Sequence, residues 1–258
     1  MLVAAVDTST LNLSLALGLV EPGGVRVLGE HDERAPQRPG SGAPVGGHGA
    51  RLPAALVEML ARAGRRLAEL EGYAVGLGPG SFTGLRIGLA TWKGLAYAGR
   101  RPIAGASSLA ALALDAAPVA PPGALLVPLL DARKGEVYAG FYRVEGERVE
   151  PVAPEAALAP AALATRVAEL ARGGQACGFG EGYATYDAVF SPAFPALPRI
   201  RVAPSALSVL RLAAPRLGGA AFDAQRLFAL EPHYVRQSEA EVKFPLGLGP
   251  GALPQGTR

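Results

Sequence analysis

The chain has 258 residues, half of them apolar, which is enough to bury a substantial core in one large or two small domains. Its net charge is +3 and its arginines are spread along the sequence, which tolerates an RNA partner without requiring one. A single cysteine excludes an internal disulfide, and no apolar run reaches the ~20 residues of a membrane span. We therefore expect a cytoplasmic protein with no signal peptide and no membrane partner.

The start of the chain predicts an antiparallel meander followed by a helix. Residues 2–7 form an apolar strand that ends in an aspartate, and residues 11–18 then alternate as in a half-buried strand. A short turn leads to a third strand at 25–28. A Pro- and Gly-rich stretch at 35–47 is expected to be a mobile loop, and helical spacing then runs from Leu52 to Leu70.

The next segments complete an α/β lobe. A short strand at 73–77 leads through a glycine-rich turn into a helix from Phe82 to about Ala98. A strand at 103–105 and a helix at 107–116 follow, and prolines at 118–122 then mark a linker.

The second half repeats the opening pattern. An apolar strand at 125–131 again ends in an aspartate and is followed by an alternating strand at 136–142. Helical segments at 161–171 and 205–217 bracket a weak strand at 176–179. Two similar α/β lobes are therefore predicted, each with a mixed sheet flanked by helices.

The linker and the tail set the predicted domain boundaries. The N-terminal lobe covers residues 1–117 and contains the two long helices, and the C-terminal lobe covers residues 123–243. Residues 244–258 contain Gly and Pro without periodicity and are expected to be a disordered tail.

The glycine-rich segment from Gly76 to Arg86 matches no motif for phosphate binding or nucleophilic catalysis. It has no lysine for a Walker A loop, and Ser81 or Thr83 stands where a dinucleotide fingerprint needs its last glycine. A nucleophile elbow would need glycines at 79 and 83, where Pro and Thr stand. The segment therefore predicts a strand-to-helix turn with Ser81 as the helix N-cap.

The helix after this turn contains several small residues, at Gly84, Gly88, Thr91, Gly94 and Ala98. Each glycine inside a helix costs up to ~1 kcal/mol relative to alanine, so a close backbone approach must compensate. Two alternatives remain open: the helix packs tightly within its own domain, or it packs against another subunit.

The three histidines do not predict a metal site. His31 and His233 have no partner at metal-ligand spacing, and the fourth residue after His48 is Leu52, so no His-x-x-x-His pair exists. We therefore expect structural or solvated histidines and no metal on this chain.

Asp7 and Asp131 are the remaining candidates for a nucleotide site, since two lobes with such aspartates could hold magnesium and phosphate, as actin- and hexokinase-like kinases do. In those enzymes the turn after the first aspartate is rich in glycine, so that backbone amides reach the phosphate. Here the turn reads Thr8, Ser9 and Thr10. We expect a cap or turn role for each aspartate.

Four segments resemble the TsaB (YeaZ) family, and together they span nearly the whole chain. They are AVDTST at 5–10, GPGSFTGLRIG at 78–88, LDARKGEVY at 130–138 and EPHYVR at 231–236. The resemblance implies a two-lobed actin/Hsp70-like fold of the ASKHA and RNase H-like class.

The resemblance also implies a function in the synthesis of threonylcarbamoyladenosine (t6A) in tRNA. TsaB proteins are non-catalytic paralogues that bind and activate TsaD, which transfers threonylcarbamoyl to the adenosine 3′ of the anticodon. The implied partners are TsaD directly, the TsaE ATPase and tRNA within the complex, and a second copy of the chain. ATP and metal are used by the partner subunits, and no cofactor is expected on this one.

The same resemblance places the partner surface on the first-lobe helices. The expected contact residues, toward TsaD or a second copy, are Leu52, Leu56, Met59, Ala63, Ser81, Phe82, Thr83, Gly84, Leu85, Ile87, Gly88 and Thr91. Asp7, Thr8, Ser9 and Asp131 are candidates for a vestigial nucleotide site. The sequence departs from the family in a longer loop at 35–47 and in Gly-Ala after His48, where Ser-Glu is common.

Two alternatives of other classes remain. One is an independent enzyme, either an actin-fold small-molecule kinase or ATPase, or a peptidase. The other is a homodimeric binding protein with no role in tRNA modification. The loop at 178–182 lies where related folds contact adenosine, but its composition is too generic to assign a site.

Overall fold

The computed structural model describes residues 1–34, 47–146, 148–198 and 200–236, and it contains two mixed β-sheets. The strands of the first sheet are β1 (Leu2–Asp7), β2 (Asn12–Glu21), β3 (Gly24–Arg34), β4 (Gly72–Gly76) and β5 (Ile103–Ala106). Their order is β3-β2-β1-β4-β5, with an antiparallel meander on one side of β1 and parallel strands on the other. The predicted loop at 35–47, apart from its last residue, and the predicted tail lie outside the described residues.

The second sheet repeats this order with one strand fewer. Its strands are β6 (Leu125–Arg133), β7 (Glu136–Glu145), β8 (Arg148–Leu158) and β9 (Ala176–Phe179), in the order β8-β7-β6-β9. Again the meander is antiparallel and the strand beyond it is parallel. The duplicated arrangement confirms the predicted fold class, two actin/Hsp70-like α/β lobes.

Eight α-helices flank the sheets within the described part of the chain. They are α1 (His48–Arg62), α2 (Phe82–Gly99), α3 (Ser108–Ala116), α4 (Pro160–Ala171), α5 (Glu181–Thr185), α6 (Asp187–Phe190), α7 (Ala206–Leu217) and α8 (Ala224–Ala229). None of the described helices is long and apolar enough to cross a bilayer.

The first long helix is shorter than the prediction of Leu52 to Leu70. It begins at His48 and ends at Arg62, and Gly64 then turns the chain with a φ of +64°. Leu70 is buried, but it follows a short 3-10 helix rather than an α-helix. Its apolar spacing therefore continues across a break in the helix, and spacing alone does not reveal that break.

Two further differences concern strands. The prediction missed β8, an edge strand whose Pro151 and Pro154 suppress the sequence signal; prolines are tolerated at a sheet edge because one side of the strand needs no donor. The strand that ends at Asp131 in the prediction continues to Arg133.

The β2 strand is buried on both faces, although its alternation predicted a half-buried strand. Leu13 and Leu15 pack into the core beneath α1 and α2, while Ala16 packs on the opposite face beneath α7. The small side chains of the alternating pattern therefore face a helix rather than solvent. The two sheets divide at the predicted linker, yet α7, from the second half of the chain, packs against the first sheet.

The α2 helix is seated on the first sheet by a tryptophan and two glycines. Trp92 is fully buried, and its indole N–H donates to the Ala4 carbonyl at 3.1 Å. A Cβ atom added at Gly84 would lie 2.1 Å from the Thr8 carbonyl oxygen, and one at Gly88 would lie 2.3 Å from Thr8 Oγ1. The sequence left open whether the small residues of this helix pack within their own domain or against another subunit. Gly84 and Gly88 pack within their own domain.

Replacing glycines on opposite sides of α2 should have opposite effects on stability. Gly88→Ala forces a methyl group against Thr8 and should cost roughly 1–3 kcal/mol. At Gly94 a Cβ has no atom within 4 Å, so Gly94→Ala should stabilise the protein by about 0.5–1 kcal/mol. Thermal melting should show a decrease in Tm for the first variant and an increase for the second, and equal effects would contradict this packing.

Candidate functional site

The turn between β1 and β2, residues 7–10, occupies the position at which a nucleotide site was considered. Asp7, Thr8, Ser9 and Thr10 are all buried, which is unusual for four consecutive polar residues. Buried polar groups need hydrogen-bond partners, so the partners of this turn show what the site can do.

The Asp7 carboxylate is satisfied by donors of the chain itself. Its Oδ1 accepts from the backbone N–H of Ser9 at 2.9 Å and from Ser9 Oγ at 2.6 Å, and its Oδ2 accepts from Ser108 Oγ at 2.6 Å. A Cβ at Gly76 would lie only 2.0 Å from Oδ2. Burial raises the pKa of this carboxyl, against the opposing effect of the serine donors. The aspartate, at the end of β1, therefore connects this strand to the β1–β2 turn and to the start of α3.

The glycine-rich turn before α2 lies directly on these four residues. The Ser81 N–H donates to the Ser9 carbonyl at 2.6 Å, and Thr8 Oγ1 donates to the Gly84 carbonyl at 2.9 Å. A Cβ at Gly80 would lie 2.3 Å from Ser9 O. Since even a methyl group does not fit, a phosphate cannot approach this side of the turn unless α2 moves. Ser81 also accepts from the Gly84 N–H, which confirms it as the helix N-cap.

His48 supports the same turn from the other side. It is buried, and its Nε2 lies 2.8 Å from the Thr10 carbonyl, so Nε2 is the nitrogen that carries the proton. Burial lowers the pKa of this imidazole, which favours its neutral form. Among the described residues, no three His, Cys, Asp or Glu side chains are grouped closely enough to hold a metal ion.

Asp131 repeats the turn geometry of Asp7 in the second lobe. Its Oδ1 accepts from the backbone N–H of Arg133 at 2.8 Å, and its Oδ2 pairs with the Arg133 guanidinium at 3.2 Å. Both aspartates thus accept from the N–H two residues later, which is the local turn role that the sequence predicts. The side chain of Asp131 is mostly buried. Its acidic neighbour is Glu181, whose pKa is raised first by burial and then by the Asp131 charge.

Half of the residues predicted to contact a partner are instead buried in the protein's own fold. They are Leu52, Leu56, Met59, Gly84, Leu85 and Gly88. This corrects the prediction for these six. Helical spacing identifies the apolar side of a helix, and in α1 and α2 that side faces the sheet. The other six are reachable from solvent: Ala63, Ile87 and Thr91 in part, and Ser81, Phe82 and Thr83 more fully.

The exposed side of the two long helices consists largely of small residues that the prediction omitted. We define the α1–α2 outer face by the exposed residues Ala54, Val57, Ala61, Ala90, Gly94 and Ala98. Val57 is 61% exposed, which is high for a valine on a regular helix. These residues share no polar motif. The sequence indicates this surface only through the small side chains at successive outward positions of α2.

Comparison with known proteins gives consistent relatives. The family model described as TsaD, tRNA N6-adenosine threonylcarbamoyltransferase, matches residues 46–244. The Escherichia coli tRNA threonylcarbamoyladenosine biosynthesis protein TsaB is 34% identical over 66% of this chain and 68% of its own length. The Bacillus subtilis TsaB is 39% identical over 34% of this chain, and the match spans 37% of that relative.

A solved structure extends the similarity to nearly the whole fold. YeaZ from Pseudomonas aeruginosa superposes with a TM-score of 0.69 and 31% identity, covering 90% of this chain and 99% of its own. The match includes both lobes, so the similarity is not confined to the glycine-rich segment. The chain therefore belongs to the TsaB (YeaZ) family of tRNA threonylcarbamoyladenosine biosynthesis proteins, within the larger group that the TsaD model describes.

Proposed function

We propose that this chain is the non-catalytic subunit of the complex that synthesises t6A in tRNA, in which it binds and activates a TsaD homologue. The observation that carries the proposal is the internal closure of the β1–β2 turn. Asp7 is bonded to Ser9 and Ser108, and the glycine-rich turn packs directly against Thr8 and Ser9. A chain with this fold and a closed site is suited to binding another subunit rather than to phosphate chemistry of its own.

The α1–α2 outer face supports a binding role. Because the side chains on this face are small, a helix of another subunit can approach the backbones of α1 and α2 closely. Ile87 and Thr91 lie beside it and are only partly buried, so a partner would complete their burial. We assign this face to TsaD, with TsaE and tRNA recruited through the complex and metal and ATP held by the partners. Such a complex works in the cytoplasm, where tRNA is modified.

The direct test is reconstitution. The chain and the TsaD homologue of the same organism should co-purify, and t6A formation on an unmodified tRNA should require the chain in addition to the other subunits. Full tRNA modification without the chain would refute the activating role. Co-purification without stimulation of t6A formation would mean that the chain binds the TsaD homologue but does not activate it.

The closed turn predicts that nucleotide has no effect on the isolated chain. Magnesium-ATP at 1000-fold excess over a working Kd would stabilise a binding protein by about 4 kcal/mol, so millimolar nucleotide should reveal even a micromolar site. We expect no change in Tm and no hydrolysis. Asp7→Ala should by contrast lower the Tm by several degrees without nucleotide, since three buried donors lose their acceptor at about 1–3 kcal/mol. An ATP-dependent rise in Tm that Asp7→Ala abolishes would favour the kinase alternative.

The outer face predicts a charge-sensitive interface. Val57→Glu places a carboxylate on the α1–α2 outer face, with no basic residue three or four positions away along the helix. It should weaken capture of the TsaD homologue roughly 10-fold or more, because burying an unpaired charge is costly. The matched control is Ala168→Glu, an exposed helical alanine on α4 in the other lobe. Both variants should melt like the wild type, and equal capture by the two would place the interface elsewhere.

A further inference from the structure

A second exposed surface lies along α2, beside the outer face, and it combines aromatic rings with positive charge. We define the aromatic–cation stripe by Phe82, Arg86, Lys93 and Tyr97 on α2, by Arg100 at the C-cap of α2, and by Phe222, Phe228 and Tyr234 on the C-terminal segment. Arg86 and Lys93 are seven residues apart, which is close to two helical turns, so these two cations lie in one row on α2, and Arg100 follows directly after the helix.

The rings form two clusters at the ends of this row. At its start, Phe82 and Tyr234 stack with ring centroids 5.4 Å apart. Near its end, Tyr97 packs against Phe228 at 5.6 Å and against Phe222 at 6.2 Å. The fifteen residues between Phe82 and Tyr97 correspond to roughly 22 Å of helix. Phe82, Tyr97, Phe228 and Tyr234 are between 40% and 63% exposed, so the clusters present ring surface to solvent.

The two arginines lie against these rings, and the lysine bonds to a backbone carbonyl of the same segment. The Arg86 guanidinium lies 3.8 Å from the Phe82 ring centre and donates to Tyr234 Oη at 3.1 Å, while Arg100 lies over Phe222 at 5.0 Å. Lys93 donates to the Phe228 carbonyl at 3.0 Å. Within the described part of the chain, none of the three forms an ion pair. Among the described residues, their charges are therefore positioned without a neutralising carboxylate.

The local charge is strongly positive for this protein. Residues 82–101 contain four basic residues and no acidic one, whereas the whole chain has a net charge of only +3. In the C-terminal segment, Arg226 and Arg236 balance Asp223 and Glu231. The excess positive charge of the molecule thus lies along α2, although the arginines look scattered in the sequence.

We propose that the aromatic–cation stripe binds RNA, through its phosphates and through unstacked bases. Exposed rings stack on bases of any sequence, and interleaved cations pair with phosphates, which is the usual chemistry of single-stranded nucleic-acid surfaces. An acidic protein surface would match the charge but would make little use of exposed rings at both ends. The inference rests on the proposed function, because a tRNA held by the complex would supply such a strand next to the TsaD-binding face.

The test measures binding of an unmodified tRNA transcript by the full chain, using fluorescence anisotropy across a range of salt concentrations. Lys93→Gln/Arg100→Gln should raise the Kd roughly 10- to 60-fold near 0.1 M salt and should lower the salt slope by about 1.4 to 1.8. Phe228→Ala should raise the Kd roughly 5-fold or more with little change in slope. The matched control, Arg148→Gln/Arg211→Gln, removes the same charge from exposed positions outside the stripe and should bind like the wild type.

Two results would contradict RNA binding by the aromatic–cation stripe. Equal losses for the stripe and control variants would show a diffuse electrostatic effect and would overturn the proposal. So would competition by polyglutamate as effective as that by oligonucleotide, which would assign the stripe to an acidic protein. Capture of the TsaD homologue is measured on the same variants, whose melting curves confirm folding. Loss of RNA binding with normal capture supports the stripe, whereas failure of the wild type to capture TsaD refutes the proposed function alone.

Discussion

The structure of the first lobe depends on one close contact, between the β1–β2 turn and the start of α2. Glycine at 80, 84 and 88 lets the helix backbone touch Thr8 and Ser9, and a Cβ at any of the three would clash with the turn. The contact fixes the four buried polar residues of the turn, and it also fixes the rotation of α2 about its own axis. The rotation of a helix about its axis determines the direction of each side chain. The same contact therefore determines which residues of α2 face outward.

This contact closes one side of the aspartate turn in the first lobe, a turn that the second lobe repeats at Asp131. Two lobes with matching strand order each retain an aspartate that accepts from the N–H two residues later. In the first lobe the turn is then sealed by the helix, and Asp7 becomes a cross-link among β1, the turn and α3 through Ser108. A buried carboxylate with this many donors is costly to remove and gains nothing from a ligand, which favours a structural role.

Much of this arrangement is predictable from the sequence, and the exceptions have physical causes. Periodicity and turn chemistry predict the strands of the first meander, β6 and β7 of the second, the Ser81 N-cap and the lobe duplication, because these are local effects. The direction in which Gly84 and Gly88 face is not a local property. Only their close approach to Thr8, which is 76 residues before Gly84, shows that they face inward. The same holds for α7, which follows elements of the second lobe in the sequence but packs on the first sheet. The apolar spacing of α1 indicates a buried side but cannot show whether its own sheet or a partner covers that side.

The two surfaces proposed for binding follow from the geometry of one helix. An α-helix that buries one side against a sheet leaves the remaining sides exposed, and α2 divides them between two kinds of residue. Small side chains at Ala90 and Gly94 favour close approach of another helix, while the cations at seven-residue spacing line the side next to the C-terminal segment. Placing both on α2 ties the orientation of a bound RNA to that of a bound subunit, since neither surface can rotate independently of the other. A non-catalytic subunit could in this way position a substrate for an active site that it does not itself contain.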